Sequence, residues 1–279
     1  MLMISSKENE KLLSALKEKK LFLFDMDGTI YIDDQPIDGA VDFIKSLLDD
    51  DEKKVYFFTN NSSKSRNDYV FKLKSIGLAI KKENIISSNQ IAAHYINEHY
   101  TGAKVLYLGN FEASQEMKEF NVNVIPSYVK NLDQKATVAL LAYDTGINYE
   151  KIKVFAYFLN KGISYIATHP DINCPSKIGG IPDVGSFIEM FAASTGRYPD
   201  KTLGKPSIEV LDFAMKLGNC EKEETVFFGD RMYTDIKMAV DNAITSVLVL
   251  SGETGIGDLQ KYDYSPDFVI DSLKSLLTL

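Results

Sequence analysis

Cysteine is scarce: two in 279 residues, Cys174 and Cys220, far apart and isolated. That scarcity excludes a disulfide framework and a cysteine zinc site. No apolar run approaches the roughly 18 residues that a membrane helix needs. The first ten residues, polar from Ser5 onward, lack the apolar centre of a signal peptide. A cytoplasmic location is therefore expected. Positive charge is also short, with 31 basic against 39 acidic residues and a net charge of −8. Such a balance does not suit wrapping nucleic acid or lying on an anionic membrane. Internal repeats and low-complexity segments are absent as well. What remains, 45% hydrophobic and 25% charged, is the composition of a globular protein with one large domain or two modest ones.

Within that composition, short apolar runs alternate with helical patterns, the signature of an α/β fold. Ser5 and Glu8 can form a capping box for an opening helix through about Lys19. Leu21-Phe22-Leu23-Phe24 is apolar on both faces, as a buried parallel strand requires, and runs into Asp25-Met26-Asp27-Gly28-Thr29. Val55–Phe58 runs into Thr59-Asn60-Asn61, Thr225–Phe228 into Gly229-Asp230, and Thr245–Leu250 into Ser251-Gly252. Helical patterns lie at about 38–49, 65–77, 207–217 and 233–242. In an open parallel sheet the carboxyl ends share one edge, where ligands bind. Between Thr59 and Lys205 the chain is far longer than one crossover needs, and it alternates on its own. A helix near 88–99, strands at Val105–Leu108, Val122–Ile125 and Thr137–Ala142, a helix near 148–161 and a strand at Ser164–Thr168 fill it. The expected architecture is a Rossmann-like parallel-sheet core, 1–86 and 183–279, with an inserted α/β cap domain at 87–182. Gly179–Pro182 reads as one hinge.

The residues at the strand ends define a chemistry. Asp25 and Asp27 are two apart at a strand end, so their carboxyl groups can face one side. Two such carboxylates repel, which raises one pKa or demands a cation. With Asp230 and Asp235 added, four acids share a neighbourhood, and a hard divalent ion, Mg2+, is expected among their oxygens. Lys205, between Gly204 and Pro206, and the Thr59 hydroxyl complete a set able to hold a phosphoryl group. A carboxylate can also attack phosphorus and form an aspartyl-phosphate. His94 and His99, five apart on a helical stretch, do not share a face and read as solvated or partly packed. Gly252, Gly255 and Gly257 read as a loop, not a dinucleotide fingerprint.

These motifs, in this order, resemble the haloacid dehalogenase superfamily of phosphatases. Gln35–Ala40, Ala167-Thr168-His169-Pro170-Asp171 and the large insertion extend the resemblance to its NagD-type, para-nitrophenylphosphatase-like branch. It covers about residues 20–275. The resemblance implies that Asp25 is the nucleophile and a magnesium ligand. It makes Asp27 the general acid and then base, giving its backbone carbonyl to the metal. Thr59 and Lys205 would bind phosphoryl oxygens with Asn60 assisting, Asp230 would ligate magnesium, and Asp235 would orient waters or Lys205. His169 departs from the asparagine more frequent in this branch, so it, with Asp144 and Asp171, is a candidate reader of the leaving group. The expected partner is a small phosphorylated metabolite such as a sugar phosphate or nucleotide, with no nucleic acid or membrane partner; a homo-oligomer is allowed. Two other classes share part of this signature. A signalling receiver domain has adjacent acids and no insertion; a non-catalytic relative would bind without turnover.

Overall fold

The computed structural model describes residues 6–126, 135–174 and 178–277. The capping box expected at Ser5 lies outside them. The chain divides into two compact units, one holding the residues through Thr59, Asn67–Ile86 and Leu211 onward. The other holds Asn60–Arg66 and Ser87–Val210.

In the first unit the strand Leu21–Asp25 lies inside a six-stranded sheet. It pairs in parallel with Lys54–Thr59 on one side and Thr225–Gly229 on the other. Thr245–Val249 and then Phe268–Ile270 continue the sheet in parallel beyond Thr225–Gly229, and Ile85–Ser87 forms the opposite edge. The order of strands reverses at Leu21–Asp25, so its carboxyl end opens onto a topological switch point. The doubly apolar run predicts burial on both faces, and Leu21, Phe22, Leu23 and Phe24 are all buried. Phe24 stacks on Phe228 of the neighbouring strand at 4.7 Å between ring centroids, with Phe57 and Phe43 around it. Aromatic contacts of this kind, together with their buried area, fix the strand ends rigidly.

The second unit has its own five-stranded parallel sheet, in the order Lys201–Thr202, Ser164–Ala167, Val138–Leu141, Lys104–Leu108, Asn123–Pro126. Helices Ser88–His99, Phe111–Glu119 and Tyr149–Asn160 belong to it. One further helix, Val184–Thr195, falls where the sequence reading had already returned to the core. Its Val184, Phe187, Ile188 and Phe191 are part of the second unit's hydrophobic core, with Phe191 4.9 Å from Phe155. Gly179–Pro182 is therefore not the crossing point. Ile181–Pro182 pairs antiparallel with Asn173–Cys174 inside the second unit, and the chain leaves that unit between Val210 and Leu211. Among the described residues no helix is long and apolar enough to cross a membrane.

Candidate active site

The first unit carries an acidic centre. Asp25 ends its strand half-buried, and the chain then turns sharply: the Met26 carbonyl accepts from Ile30 N at 2.8 Å and Gly28 N donates to Tyr31 O at 2.8 Å. Gly28 takes a left-handed φ of 87°, which a side chain would strain. A Cβ there, or at Gly252, would collide with the Asp230 carboxylate. Asp230 follows the strand Thr225–Gly229, and its Oδ2 accepts from Glu253 N at 2.7 Å. Asp235 lies in a single π-helical turn, Met232–Ile236, a geometry frequent at functional sites. Its Oδ2 accepts from Arg231 N at 3.1 Å, and Met232 and Ile236 anchor the turn in an apolar cluster with Leu248. Oxygens of Asp25, Asp230 and Asp235 all lie within 4.8 Å of one another.

Of the four acids expected in one neighbourhood, the carboxylates of three are grouped. The strand ends at Asp25, so the alternation that would have brought Asp27 to the same side stops at the Met26 turn. The Asp27 carboxylate is 55% exposed and stands outside the cluster, 3.3 Å from the Tyr31 hydroxyl that donates to it and 3.6 Å from Lys72 Nζ. That ammonium sits 3.7 Å over the buried Tyr31 ring, a cation–π contact. Asp235, expected in the neighbourhood as an outer residue, has a carboxylate oxygen within 4.8 Å of those of Asp25 and Asp230.

Arg231 was not singled out from the sequence, though a basic residue directly after Gly229-Asp230 was a signal for it. Its burial opposes the charge, but Asp25, Tyr233, Asp235 and Asp230 outweigh it and hold the guanidinium protonated. Glu253 Oε2 lies 2.9 Å from its Nε. Three carboxylates of hard oxygen donors stand together here, and their spacing fits a divalent cation. Thr59, at the end of the strand Lys54–Thr59, is buried with its hydroxyl 3.5 Å from that of Tyr69.

The second unit carries Asn60, His169 and Lys205, all buried. Asn60 Oδ1 accepts from Lys205 N at 2.8 Å, and its Nδ2 donates to Lys205 O and to Asp171 Oδ1, each at 3.1 Å. Gly204, φ 71°, leaves no room for a Cβ against Thr168 O, Asn60 Oδ1 and His169 Cβ. The Lys205–Pro206 peptide is cis. His169 is wholly buried: its Nε2 is 3.4 Å from Ser62 Oγ and 3.6 Å from Asp183, and its Nδ1 is 3.8 Å from Asp171. Asp144 is buried against Lys151 at 2.7 Å and Gly146 N at 2.9 Å, bonds of a local turn.

The chain is similar to proteins of known family and structure. Residues 22–123 match the family described as haloacid dehalogenase-like hydrolase, and residues 202–276 a second, HAD-hydrolase-like family. An acid sugar phosphatase of Staphylococcus haemolyticus is 29% identical over 258 residues, covering 92% of this chain and 95% of that protein. The crystal structure of a 4-nitrophenylphosphatase from Thermotoga maritima superposes with a TM-score of 0.88 at 37% identity, covering 95% of this chain and 98% of that one. A glycerol phosphate phosphatase of Mycobacterium tuberculosis, solved in complex with magnesium, gives a TM-score of 0.85 at 25% identity, covering 94% and 77%.

Proposed function

We propose that this chain, which belongs to the haloacid dehalogenase superfamily and is a phosphatase of its NagD-type, para-nitrophenylphosphatase-like branch, hydrolyses small phosphate monoesters through an aspartyl-phosphate. One observation carries the reading: the oxygens of Asp25, Asp230 and Asp235 converge within 4.8 Å at the carboxyl ends of adjacent strands. Asp25 attacks phosphorus while Asp27 gives its proton to the departing oxygen. Asp27 then takes a proton from the water that attacks the aspartyl-phosphate, which frees Asp25 and inorganic phosphate. The exposed position of the Asp27 carboxylate, outside the acid cluster, suits a group that must meet leaving group and water. Thr59 and Lys205 hold the phosphoryl oxygens, with Asn60 fixing the Lys205 backbone. Asp25, Asp230 and the backbone carbonyl of Asp27 would hold Mg2+, with the Asp235 carboxylate beside them, and the ion would supply positive charge against the phosphoryl oxygens. The names of the relatives support a sugar phosphate or similar metabolite as substrate, and the second unit is assigned the cap that reads its leaving group. A cytoplasmic setting suits a chain whose Cys174 and Cys220 form no disulfide.

Rapid mixing with para-nitrophenyl phosphate and magnesium tests the roles. Asp27→Asn should release up to one nitrophenolate per site and then stall, because a good leaving group needs no acid but the second step needs the base. Asp25→Asn should give no burst. The reverse result would exchange the two roles, and turnover undiminished by a chelator would remove the metal. Phosphorylation without any turnover in the wild type would make the protein a phospho-accepting module instead.

A further inference from the structure

The side-chain amide of Asn60 makes three hydrogen bonds, two to the Lys205 backbone and one to Asp171. Its Oδ1 and Nδ2 bracket the Lys205 peptide groups like a short piece of sheet, and its remaining donor goes to Asp171 Oδ1. Asp171 is in turn pinned. Its carbonyl accepts from Gly185 N at 2.8 Å, and the next residue's carbonyl, Ile172 O, accepts from Asp183 N at 3.0 Å and Ser186 Oγ at 2.6 Å. The loop holding Asp171 is thus tied to the start of the helix Val184–Thr195, whose first peptide is capped by Asp183. His169 stands between the two acids, 3.8 Å from Asp171 and 3.6 Å from Asp183. Asp171 itself is 10% exposed at the side chain, so a leaving group has little of it to touch.

We infer that Asp171 is a positioning residue for phosphate binding: it orients Asn60, and Asn60 fixes the backbone from which Lys205 reaches the phosphoryl group. This deepens the function proposed above and rests on its assignment of Lys205. A carboxylate fixes the amide's rotation because it can only accept, so Nδ2 must face Asp171 and Oδ1 must face Lys205 N. A residue that acts this way affects every substrate alike, whereas a reader of leaving groups discriminates among them.

Inorganic phosphate, which has no leaving group, is the probe. Asp171→Ala should raise its inhibition constant about tenfold. It should lower kcat/KM by the same factor for para-nitrophenyl phosphate and for a sugar phosphate. Asp171→Asn, whose Oδ1 can still accept from Asn60, should keep most of the wild-type phosphate affinity. In a Lys205→Met background Asp171→Ala should cost nothing further, since both changes remove one device. Should Asp171→Ala not accumulate folded, Asp171→Ser, too short to reach Asn60, carries the same expectation. An unchanged phosphate constant with a changed sugar-phosphate KM would make Asp171 a reader of the leaving group and overturn the inference. An additive loss on Lys205→Met, or equal losses in the Ala and Asn variants, would also overturn it. If Lys205→Met alone leaves phosphate affinity intact, the assignment of Lys205 fails first, and the inference with it.

Discussion

One buried polar arrangement from each unit makes a contrast. At the carboxyl ends of the six-stranded sheet, three carboxylates stand within 4.8 Å of one another, with Arg231 among their neighbours. In the second unit, Ser62 Oγ takes the Tyr143 N–H at 2.8 Å and bonds Thr168 Oγ1 at 3.0 Å. Asn89 Nδ2 donates to Ser62 O at 2.9 Å, and Tyr107 Oη donates to Asn89 Oδ1 at 3.2 Å. The first arrangement crowds like charges and would be completed by a cation; the second joins neutral side chains and backbone groups by hydrogen bonds. Crowded charge makes chemistry available at the expense of stability, and a neutral hydrogen-bonded network rigidifies without a ligand. Stability of the fold should therefore answer to magnesium through one unit and to single hydrogen bonds through the other.

The largest break in this comparison comes from Asp25→Ala. It should lower turnover by at least about a thousandfold, the scale of losing a nucleophile, while the melting temperature measured without magnesium stays level or rises. Removal of one of three crowded carboxylates relieves repulsion, and Asp25 is half-buried at a strand end, so no core cavity is left. Retention of more than about a tenth of wild-type kcat would remove Asp25 from the nucleophile's place.

Magnesium titration of thermal unfolding sharpens the charged side. A ligand bound only by the folded protein at a hundred times its Kd adds about 2.7 kcal/mol, so millimolar magnesium should raise the melting temperature of the wild type. Asp230→Asn and Asp235→Asn should each shrink that rise, and Asp27→Asn should leave it. A full rise in Asp235→Asn would return that residue to the outer role first expected of it.

That pair of expectations marks where the sequence was legible. The strand ends could be read because Leu21–Phe24, Val55–Phe58 and Thr225–Phe228 are apolar on both faces and stop abruptly at polar residues. That Asp25, Asp230 and Asp235 share a neighbourhood could be read too, but how close their carboxylates come, and that the Asp27 carboxylate stands apart, depend on departures from regular geometry. The chain leaves the strand at Met26, and Asp235 sits on a π-helical turn, so neither period 2 nor period 3.6 places the carboxylates. The limit of the second unit has a sequence signal of its own. Val184, Phe187, Ile188 and Phe191 fall at i, i+3, i+4 and i+7, a helix with a core-facing stripe. Gly179-Gly180 drew the boundary away from it. The hydrogen-bonded network around Ser62 had no sequence signal, since serine and asparagine after a strand read as loop.

Asn89→Leu breaks the neutral side. The change leaves Ser62 O and the Tyr107 hydroxyl without a partner inside the unit, at about 1–3 kcal/mol for each buried group so orphaned. Denaturant unfolding should show that loss, and the magnesium-induced rise should be the same as in the wild type. A loss of the magnesium rise in this variant would mean that the two arrangements are coupled rather than separate.

The smallest expected effect lies at the start of the helix Ile208–Gly218, where Glu209 meets Lys201 and the Ser207 hydroxyl. Burial alone would raise the Glu209 carboxyl, but those two partners outweigh it and hold its pKa below the ordinary value. A carboxyl depressed on folding binds its proton more readily in the unfolded chain. Its contribution to stability is thus whole above the unfolded pKa, about 4.3, and falls away as pH drops through the lower folded value. Replacement of Lys201 by methionine removes the main partner, so the wild type should exceed Lys201→Met by no more than about 1 kcal/mol at pH 7. The gap should hold down to about pH 5 and close as pH falls further, with added salt narrowing it throughout. A gap that instead stayed constant on acidification would mean that Lys201 acts by packing against Tyr95, whose ring lies 6.0 Å from its ammonium.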